Sequence, residues 1–394
     1  MHHAITNQTH QTMMSPSPFH YPCHHRTNIP LPLTLLYCLF LSSFFVFSLY
    51  TFVPSSIRRL PRDHCVHIRW RSGVIFGVMM VGMGTYPLIF CQRLEIDDIL
   101  GGDYVGDRRM DTFPSWYRYL GISWQPMQDI KIAAHVLVLY LGSLSCSWFR
   151  LYHCMRILQW EDESMNRNNR SYMRTISTIA ESQQLPTFPK PKYFRRSLQQ
   201  TWVEPTMQSI LSFYNDENYR WMKLRNLFIA PLAEEAIFRA CLIPPLLAST
   251  SKDGEPLSPI ATAWIGPLFF GVAHLHHFYE QYRQMPPWQR SRNIVFQLLF
   301  GLLFQWAYTT LFGAYVSHVF IRTASLSVVT LAHVVCNYVG LPEIGFVNPT
   351  SNLYCYRWII SILYLVGICL FVAGFDSLVF PTQSVLPSLL YPQR

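Results

Sequence analysis

Charged residues are scarce in this chain of 394 residues. Asp, Glu, Lys and Arg make up 13% of it, about half the share in an ordinary soluble domain, whereas hydrophobic residues make up 50%. The ten cysteines form no CxxC pair and no Cys/His cluster of zinc-binding spacing. The composition therefore argues against a soluble protein, implies no disulfide framework and is typical of a membrane protein.

Long apolar runs occur along most of the chain. A helix needs roughly 18 to 20 apolar residues to cross a bilayer, and the sequence predicts an all-α, polytopic membrane protein with about eight spans. The run 294–321 is long enough for a tilted helix or for a helix plus a re-entrant piece. The candidate spans are 31–53, 73–91, 130–149, 226–248, 260–279, 294–321 and 357–380, with a weaker one at 326–342.

The positive charge lies between the apolar runs. The formal net charge is +9, but the cations concentrate in the loops 57–71, 150–225 and 281–292, so they do not indicate nucleic-acid binding. Under the positive-inside rule these loops face the cytosol and both termini lie outside it. The predicted segments are a polar tail at 1–30, three spans at 31–149, a cytosolic basic loop at 150–225, a core with the candidate site at 226–345, and the last span and tail at 346–394.

Two adjacent glutamates and an arginine, Glu234, Glu235 and Arg239, interrupt the apolar run 226–248. An ionisable side chain near the centre of a bilayer costs at least a few kcal/mol, so it indicates a functional site. Residues four apart share a helix face, so Glu235 and Arg239 can pair, which leaves Glu234 available as a general base. The alternative is a buried ion network that only fixes helix packing.

Two histidine motifs follow. His274, in Phe270-GVA-His274, lies near the predicted cytosolic end of its run, either as a catalytic group or as a hydrogen-bonded core histidine. His333 and Asn337 lie four apart and offer N–H donors that can stabilise an oxyanion or can hold helices together. Glu234 and His274 are predicted at similar depths, and His333 somewhat deeper in a neighbouring helix, so one cavity open to the cytosol can hold all three.

The residues alone leave three other interpretations open. A zinc-dependent membrane protease could use Glu234, His274 and His333 as metal ligands, although the chain has no HExxH motif. A cysteine protease could use Cys336 beside His333, although no third partner is visible. A non-catalytic membrane scaffold could keep the polar cluster for helix association.

The three motifs together resemble those of a known family. Glu234-Glu235-AIF-Arg239, Phe270-GVA-His274 and His333-VVC-Asn337 are similar to the EExxxR, FxxxH and HxxxN motifs of type II CAAX prenyl endopeptidases, which belong to the wider abortive-infection family of membrane proteins. Longer stretches around them resemble the eukaryotic Ras-converting branch. The resemblance covers roughly residues 220–345.

This resemblance implies an endopeptidase of the endoplasmic reticulum membrane, multi-pass and with its site open to the cytosol. It implies removal of the C-terminal tripeptide from farnesylated or geranylgeranylated Cys-a-a-X proteins such as small GTPases, in contact with membrane lipid and without nucleic acid. The implied mechanism is of the glutamate type, with no metal and no cofactor. In it Glu234 and His274 activate water, His333 and Asn337 stabilise the oxyanion, and Glu235 and Arg239 support these groups.

Overall fold

The computed structural model describes residues 29–90, 118–156 apart from 124 and 154, 213–252, 254–273, 282, 285, 286, 288 and 290–377. These residues form helices joined by short loops, so the predicted all-α character is confirmed for this part of the chain. A parallel pairing of Ile29–Pro30 with Ser249–Thr250 ties the first described residues to the middle of the chain. The predicted tail 1–30 lies almost wholly outside the described residues, and so does most of the predicted loop 150–225.

The α-helices differ widely in length, and two π-helical stretches join three of the short ones. In chain order the α-helices are α1 (Leu31–Thr51), α2 (Ser55–Arg58), α3 (Cys65–Phe90), α4 (Pro126–Leu139), α5 (Leu141–His153), α6 (Glu217–Leu224), α7 (Ala230–Glu235), α8 (Ile243–Ala248), α9 (Pro259–Ala273), α10 (Arg292–Thr323), α11 (Leu326–Val339) and α12 (Arg357–Ser377). The π-helical stretches are Arg225–Ile229 and Ala236–Cys241.

Within the described residues, four helical segments are long and apolar enough to cross a membrane: Leu31–Thr51, Cys65–Phe90, Arg292–Thr323 and Tyr354–Phe375. The pair α4 and α5, bent by 70°, makes a fifth if it counts as one span. The predicted count of about eight is not confirmed. Prolines and π turns divide the run 226–248, and α9 and α11 have only 15 and 14 residues.

Helix α10 decides between the two structures expected for the run 294–321, a tilted helix or a helix plus a re-entrant piece. It is one continuous helix of 32 residues, about 48 Å long and so longer than the roughly 30 Å hydrocarbon core. The Ser291 hydroxyl accepts a hydrogen bond from the Ile294 amide at its start. At its end Ala324 takes a left-handed backbone conformation with φ 45°. This sharp turn lets α11 begin at Leu326 and pack back against α10.

The glutamate-bearing segment lies at the centre of the helix bundle. Every residue from Ala236 to Ala248 is buried, and helices α1, α3, α9 and α11 pack around it. A helix that is apolar on all sides is expected in such an interior position. The motif acids therefore reach the middle of the protein and do not face lipid.

Close contacts of α9 with α10 and with α8 depend on glycines. A Cβ atom built on Gly313 would lie 2.7 Å from Pro267 Cβ and 3.3 Å from Arg239 Nη2, and one on Gly266 would lie 2.7 Å from Ile243 Cδ1. Small residues at helix interfaces let backbones approach closely, which is the main source of packing energy between membrane helices. The absence of a side chain at Gly313 thus allows α10 to pack closely against α9 beside the buried Arg239.

Replacing Gly313 with valine should therefore destabilise the protein. We expect Gly313→Val to lower the free energy of unfolding by about 1 to 3 kcal/mol through overpacking, measured by thermal unfolding of the purified protein in detergent. Gly301→Val is the matched control, because Gly301 is on the same helix and a Cβ there meets nothing within 4 Å. Equal unfolding temperatures for the two variants would contradict the packing described.

Candidate active site

Two π-helical stretches interrupt the helix that carries the glutamates. The first, Arg225–Ile229, runs directly into α7, whose second residue is Pro231. The second, Ala236–Cys241, precedes Pro244 at the start of α8. Proline has no N–H to donate to the preceding turn, and the wider π turn accommodates this break. Single π turns are frequent at functional sites, and here they flank both glutamates.

Glu235 and Arg239 form the buried ion pair that their spacing predicts. Arg239 Nη1 donates to Glu235 Oε1 over 3.2 Å, and Arg239 Nε lies 3.1 Å from Glu235 Oε2 in a less well aligned contact. Both residues have an exposed fraction of 0%. The guanidinium also lies 5.0 Å from the ring centroid of Phe270 on α9, within cation–π range. The pair and the aromatic face together offset the loss of water around both charges.

His333 completes this cluster from α11. Its Nδ1 lies 2.7 Å from Glu235 Oε1, and its Nε2 lies 3.8 Å from Glu234 Oε2. The ring is buried, and its edge contact with Phe312 has a centroid distance of 5.3 Å. The Glu235 contact fixes one ring nitrogen, so the other points toward Glu234.

Glu234 has different surroundings from its neighbour. Its side chain is 21% exposed and lines a cavity of about 230 Å³ that is shared with α1, α3 and the first π-helical stretch. Adjacent residues on a helix point about 100° apart, which explains why one carboxylate is buried in the ion pair and the other reaches open space. Of the two acids, Glu234 is therefore the one that a substrate and water can reach.

Asn337 lies one turn beyond His333, nearer to solvent. Its Nδ2 donates to the backbone carbonyl of Asn226 over 3.0 Å, and the residue is exposed. Asn226 lines the same cavity as Glu234. An amide nitrogen carries two hydrogens, so Asn337 has a second donor beside a residue of the cavity lining.

His274 lies outside the described residues, so the structure gives no position for its ring. Ala273, the residue directly before it, ends α9 and lines the cavity with Glu234. Phe270 of the same motif is buried between Arg239 and Phe238, and its ring centroid is 5.0 Å from that of Phe238. The FxxxH motif thus reaches the cavity wall.

The described residues contain no group of three or more His, Cys, Asp or Glu side chains placed to hold a metal ion. The proposed trio of zinc ligands includes His274 and so is not tested by this result. Cys336 is half-buried on α11, and no hydrogen bond to His333 is present between these two described side chains.

Sequence reasoning alone missed several contacts at this site. The bond between His333 and Glu235 joins side chains 98 residues apart, and nothing in the spacing indicates it. Phe270 is a motif position, which is a signal for its role against Arg239. Gly313, which makes room for that arginine, carries no local signal. The three arginines of the cavity, Arg62, Arg71 and Arg225, are visible in the sequence only as loop charges.

Comparisons with known proteins agree with the motifs. Residues 216–339 match the family model described as "Type II CAAX prenyl endopeptidase Rce1-like". A human protein, "CAAX prenyl protease 2", is 42% identical over 125 residues, which are 32% of this chain and 33% of the human one. The Arabidopsis thaliana protein of the same name is 38% identical over 163 residues, or 41% and 44% of the two chains.

A Schizosaccharomyces pombe protein, "Probable CAAX prenyl protease 2", is 35% identical over 151 residues, or 37% of this chain and 49% of that one. The chain therefore spans between a third and a half of the length of these three relatives. No solved structure gives a significant match. The matched segment contains both glutamates, Arg239, His333 and Asn337, and it is similar to the Rce1-like type II CAAX prenyl endopeptidase family.

Proposed function

We propose that this protein is an endopeptidase that removes the C-terminal tripeptide from prenylated Cys-a-a-X proteins. The observation that carries the proposal is the division between two adjacent carboxylates. Glu235 is wholly buried against Arg239 and His333, whereas Glu234 is 21% exposed at a cavity. The names of the relatives and the position of both acids inside the matched segment support the same function.

In the proposed mechanism Glu234 is the general base, and His274 helps to orient the water. Glu234 takes a proton from the water as its oxygen attacks the carbonyl carbon of the prenylated cysteine. The tetrahedral intermediate then collapses, the peptide bond breaks, and the protonated Glu234 returns the proton to the leaving amine. The products are a protein ending in a prenylated cysteine carboxylate and a free tripeptide.

The oxyanion of the intermediate is assigned to His333 and Asn337. In this role His333 carries protons on both ring nitrogens: Nδ1 donates to Glu235, and Nε2 donates to the oxyanion. Asn337 uses the hydrogen of Nδ2 that does not bond to Asn226. Such donors are effective because they are fixed in place before charge develops on the substrate. The 3.8 Å between His333 Nε2 and Glu234 Oε2 supports a scheme in which base and donor act on the same reacting group.

Glu235 and Arg239 act by positioning. Glu235 holds Nδ1 of His333, much as a carboxylate orients the histidine of a hydrolase triad. Arg239 neutralises Glu235 and is itself held by the Phe270 ring. Neither side chain touches the substrate in this scheme, so their effect on turnover passes through the imidazole.

The expected setting is the endoplasmic reticulum membrane, with the cavity open to the cytosol. Substrates are farnesylated or geranylgeranylated proteins such as small GTPases, whose lipid stays in the bilayer while the peptide end enters the cavity. The exposed apolar faces of α1, α3 and α10 suit lipid contact. The basic loop 57–71 on the cavity side agrees with a cytosolic orientation.

Glu234→Gln should abolish release of the tripeptide while the protein still inserts and folds. Loss of a general base typically costs 10² to 10⁴ in rate, so we expect kcat to fall by at least about 100-fold. The assay is cleavage of a farnesylated peptide in the presence of a strong chelator. Glu255→Gln is the control, because Glu255 is exposed in a loop and its loss should leave the rate unchanged. A zinc protease would already be inactive in the parent protein under chelation, and a scaffold would never release the tripeptide.

Glu235→Gln should instead lower stability and activity together. It removes the carboxylate that pairs with the buried Arg239, and breaking a buried ion pair typically costs about 3 to 5 kcal/mol. Adding Arg239→Met should recover much of the thermal stability in detergent without restoring turnover, because His333 still lacks its carboxylate partner. Undiminished stability in the single variant would contradict the importance of the ion pair.

Asn337→Asp keeps the shape of the side chain but replaces a donor with an acceptor. If Asn337 stabilises the oxyanion, kcat should fall by about 10² to 10³ with little change in KM, the usual result of losing such a donor. Asn348→Asp is a matched control in an exposed loop, where the side-chain oxygen accepts from the Thr350 amide and an aspartate can do the same. A change in KM alone would indicate a role in substrate binding and not in oxyanion stabilisation.

A further inference from the structure

The described residues that line the cavity beside Glu234 include more cationic than anionic side chains. They are three arginines, Arg62, Arg71 and Arg225, and one acid, Glu234. The remaining lining is mainly apolar. A general base needs no cations around it to accept a proton from water. Three guanidinium groups around one partly enclosed space instead indicate a ligand with an anionic group.

The arginines come from three parts of the chain that meet at this cavity. Arg71 is half-buried on α3, and its guanidinium carbon lies 5.8 Å from the ring centroid of Tyr50. Arg225 begins the first π-helical stretch, and its Nη1 lies 3.0 Å from Asp63 Oδ1. The Asp63 side chain is 63% exposed, so water screens much of its charge. Asp63 thus orients Arg225 without cancelling the positive field inside the cavity.

The separation between Glu234 and Arg225 is close to the length of the proposed leaving peptide. Arg225 lies nine residues before Glu234 in one helical segment, which is about 13 Å along the axis. An extended tripeptide spans about 10 Å, and a long arginine side chain covers the difference. A peptide cleaved at Glu234 would therefore carry its C-terminus to the arginines.

We propose that Arg62, Arg71 and Arg225 form a subsite for the free C-terminal carboxylate of the substrate. This inference rests on the proposed function for the identity of its ligand. Guanidinium groups bind carboxylates through paired, charge-assisted hydrogen bonds. Such a subsite would restrict the enzyme to the last three residues of a chain, because a cysteine within a longer chain has no carboxylate at that distance.

The geometry favours a peptide carboxylate over the headgroup of an anionic lipid. The arginines share a cavity of about 230 Å³ with Glu234, which is below the roughly 300 to 1,000 Å³ of pockets that enclose a drug-sized ligand. A cavity of this size suits a short peptide end. With the prenyl chain in the bilayer, the carboxylate is the part of the substrate that extends toward the basic loop.

The test measures binding, so that it does not depend on turnover. Two farnesylated Cys-a-a-X peptides that differ only in a free carboxylate or an amide at the C-terminus are titrated into the full chain carrying Glu234→Gln, in neutral detergent micelles. We expect the acid to bind about tenfold more tightly than the amide. Arg71→Gln should bring the affinity for the acid down to that for the amide.

The matched control is Arg69→Gln. Arg69 lies two residues before Arg71 on α3, pairs with Glu217 and does not line the cavity. The tenfold preference should survive this change. If Arg71→Gln does not fold, Arg62→Gln in the exposed loop serves the same purpose and should also reduce the preference.

Equal binding of acid and amide by the chain that carries only Glu234→Gln would overturn the subsite. The same loss of preference in Arg71→Gln and in Arg69→Gln would also overturn it. An effect of Arg71→Gln confined to vesicles with anionic lipid, with the acid preference kept in micelles, would assign the arginines to lipid and also overturn it. A different result would contradict the proposed function and leave the subsite in place. A chain with Glu234 intact that shows the Arg71-dependent preference but cleaves neither peptide retains the subsite and loses the protease assignment.

Discussion

The ion pair between Glu235 and Arg239 is the constraint on which the rest of this site depends. Each charge would cost several kcal/mol to bury alone, yet both have an exposed fraction of 0% at the centre of the bundle. Three neighbouring residues make this possible. Glu235 bonds to Arg239 and to His333, while Arg239 also lies against Phe270 and beside Gly313. Four segments of the chain are thereby fixed around one buried charge pair.

This pairing separates the two adjacent acids into different tasks. Glu235 is committed to Arg239 and His333, so it can orient the imidazole but has no access to a substrate. Glu234 points about 100° away and reaches the cavity. Consecutive residues of the same helix thus supply one buried, paired carboxylate and one carboxylate that reaches the cavity. The π turns on either side set the direction of both side chains, because each inserts a residue into the helical turn.

The cavity connects this chemistry to the placement of charge along the chain. The basic residues that indicate membrane orientation in the sequence include Arg62 and Arg71, and in the folded protein both line the space beside Glu234. One set of charges can therefore serve two purposes. In the proposed function it orients the spans in the membrane, and in the proposed subsite it binds the anionic end of the peptide.

The sequence by itself determined the membrane class, the helical fold, the Glu235–Arg239 pair and the family motifs, because composition and i,i+4 spacing act within a single segment. It did not determine the number of spans, since a hydrophobic run such as 226–248 does not show where prolines and π turns divide a helix. Nor did it predict the bond from His333 to Glu235 or the close packing of Gly313 against Arg239. Those contacts join helices far apart in the chain, and only packing of the whole bundle decides which side chains meet.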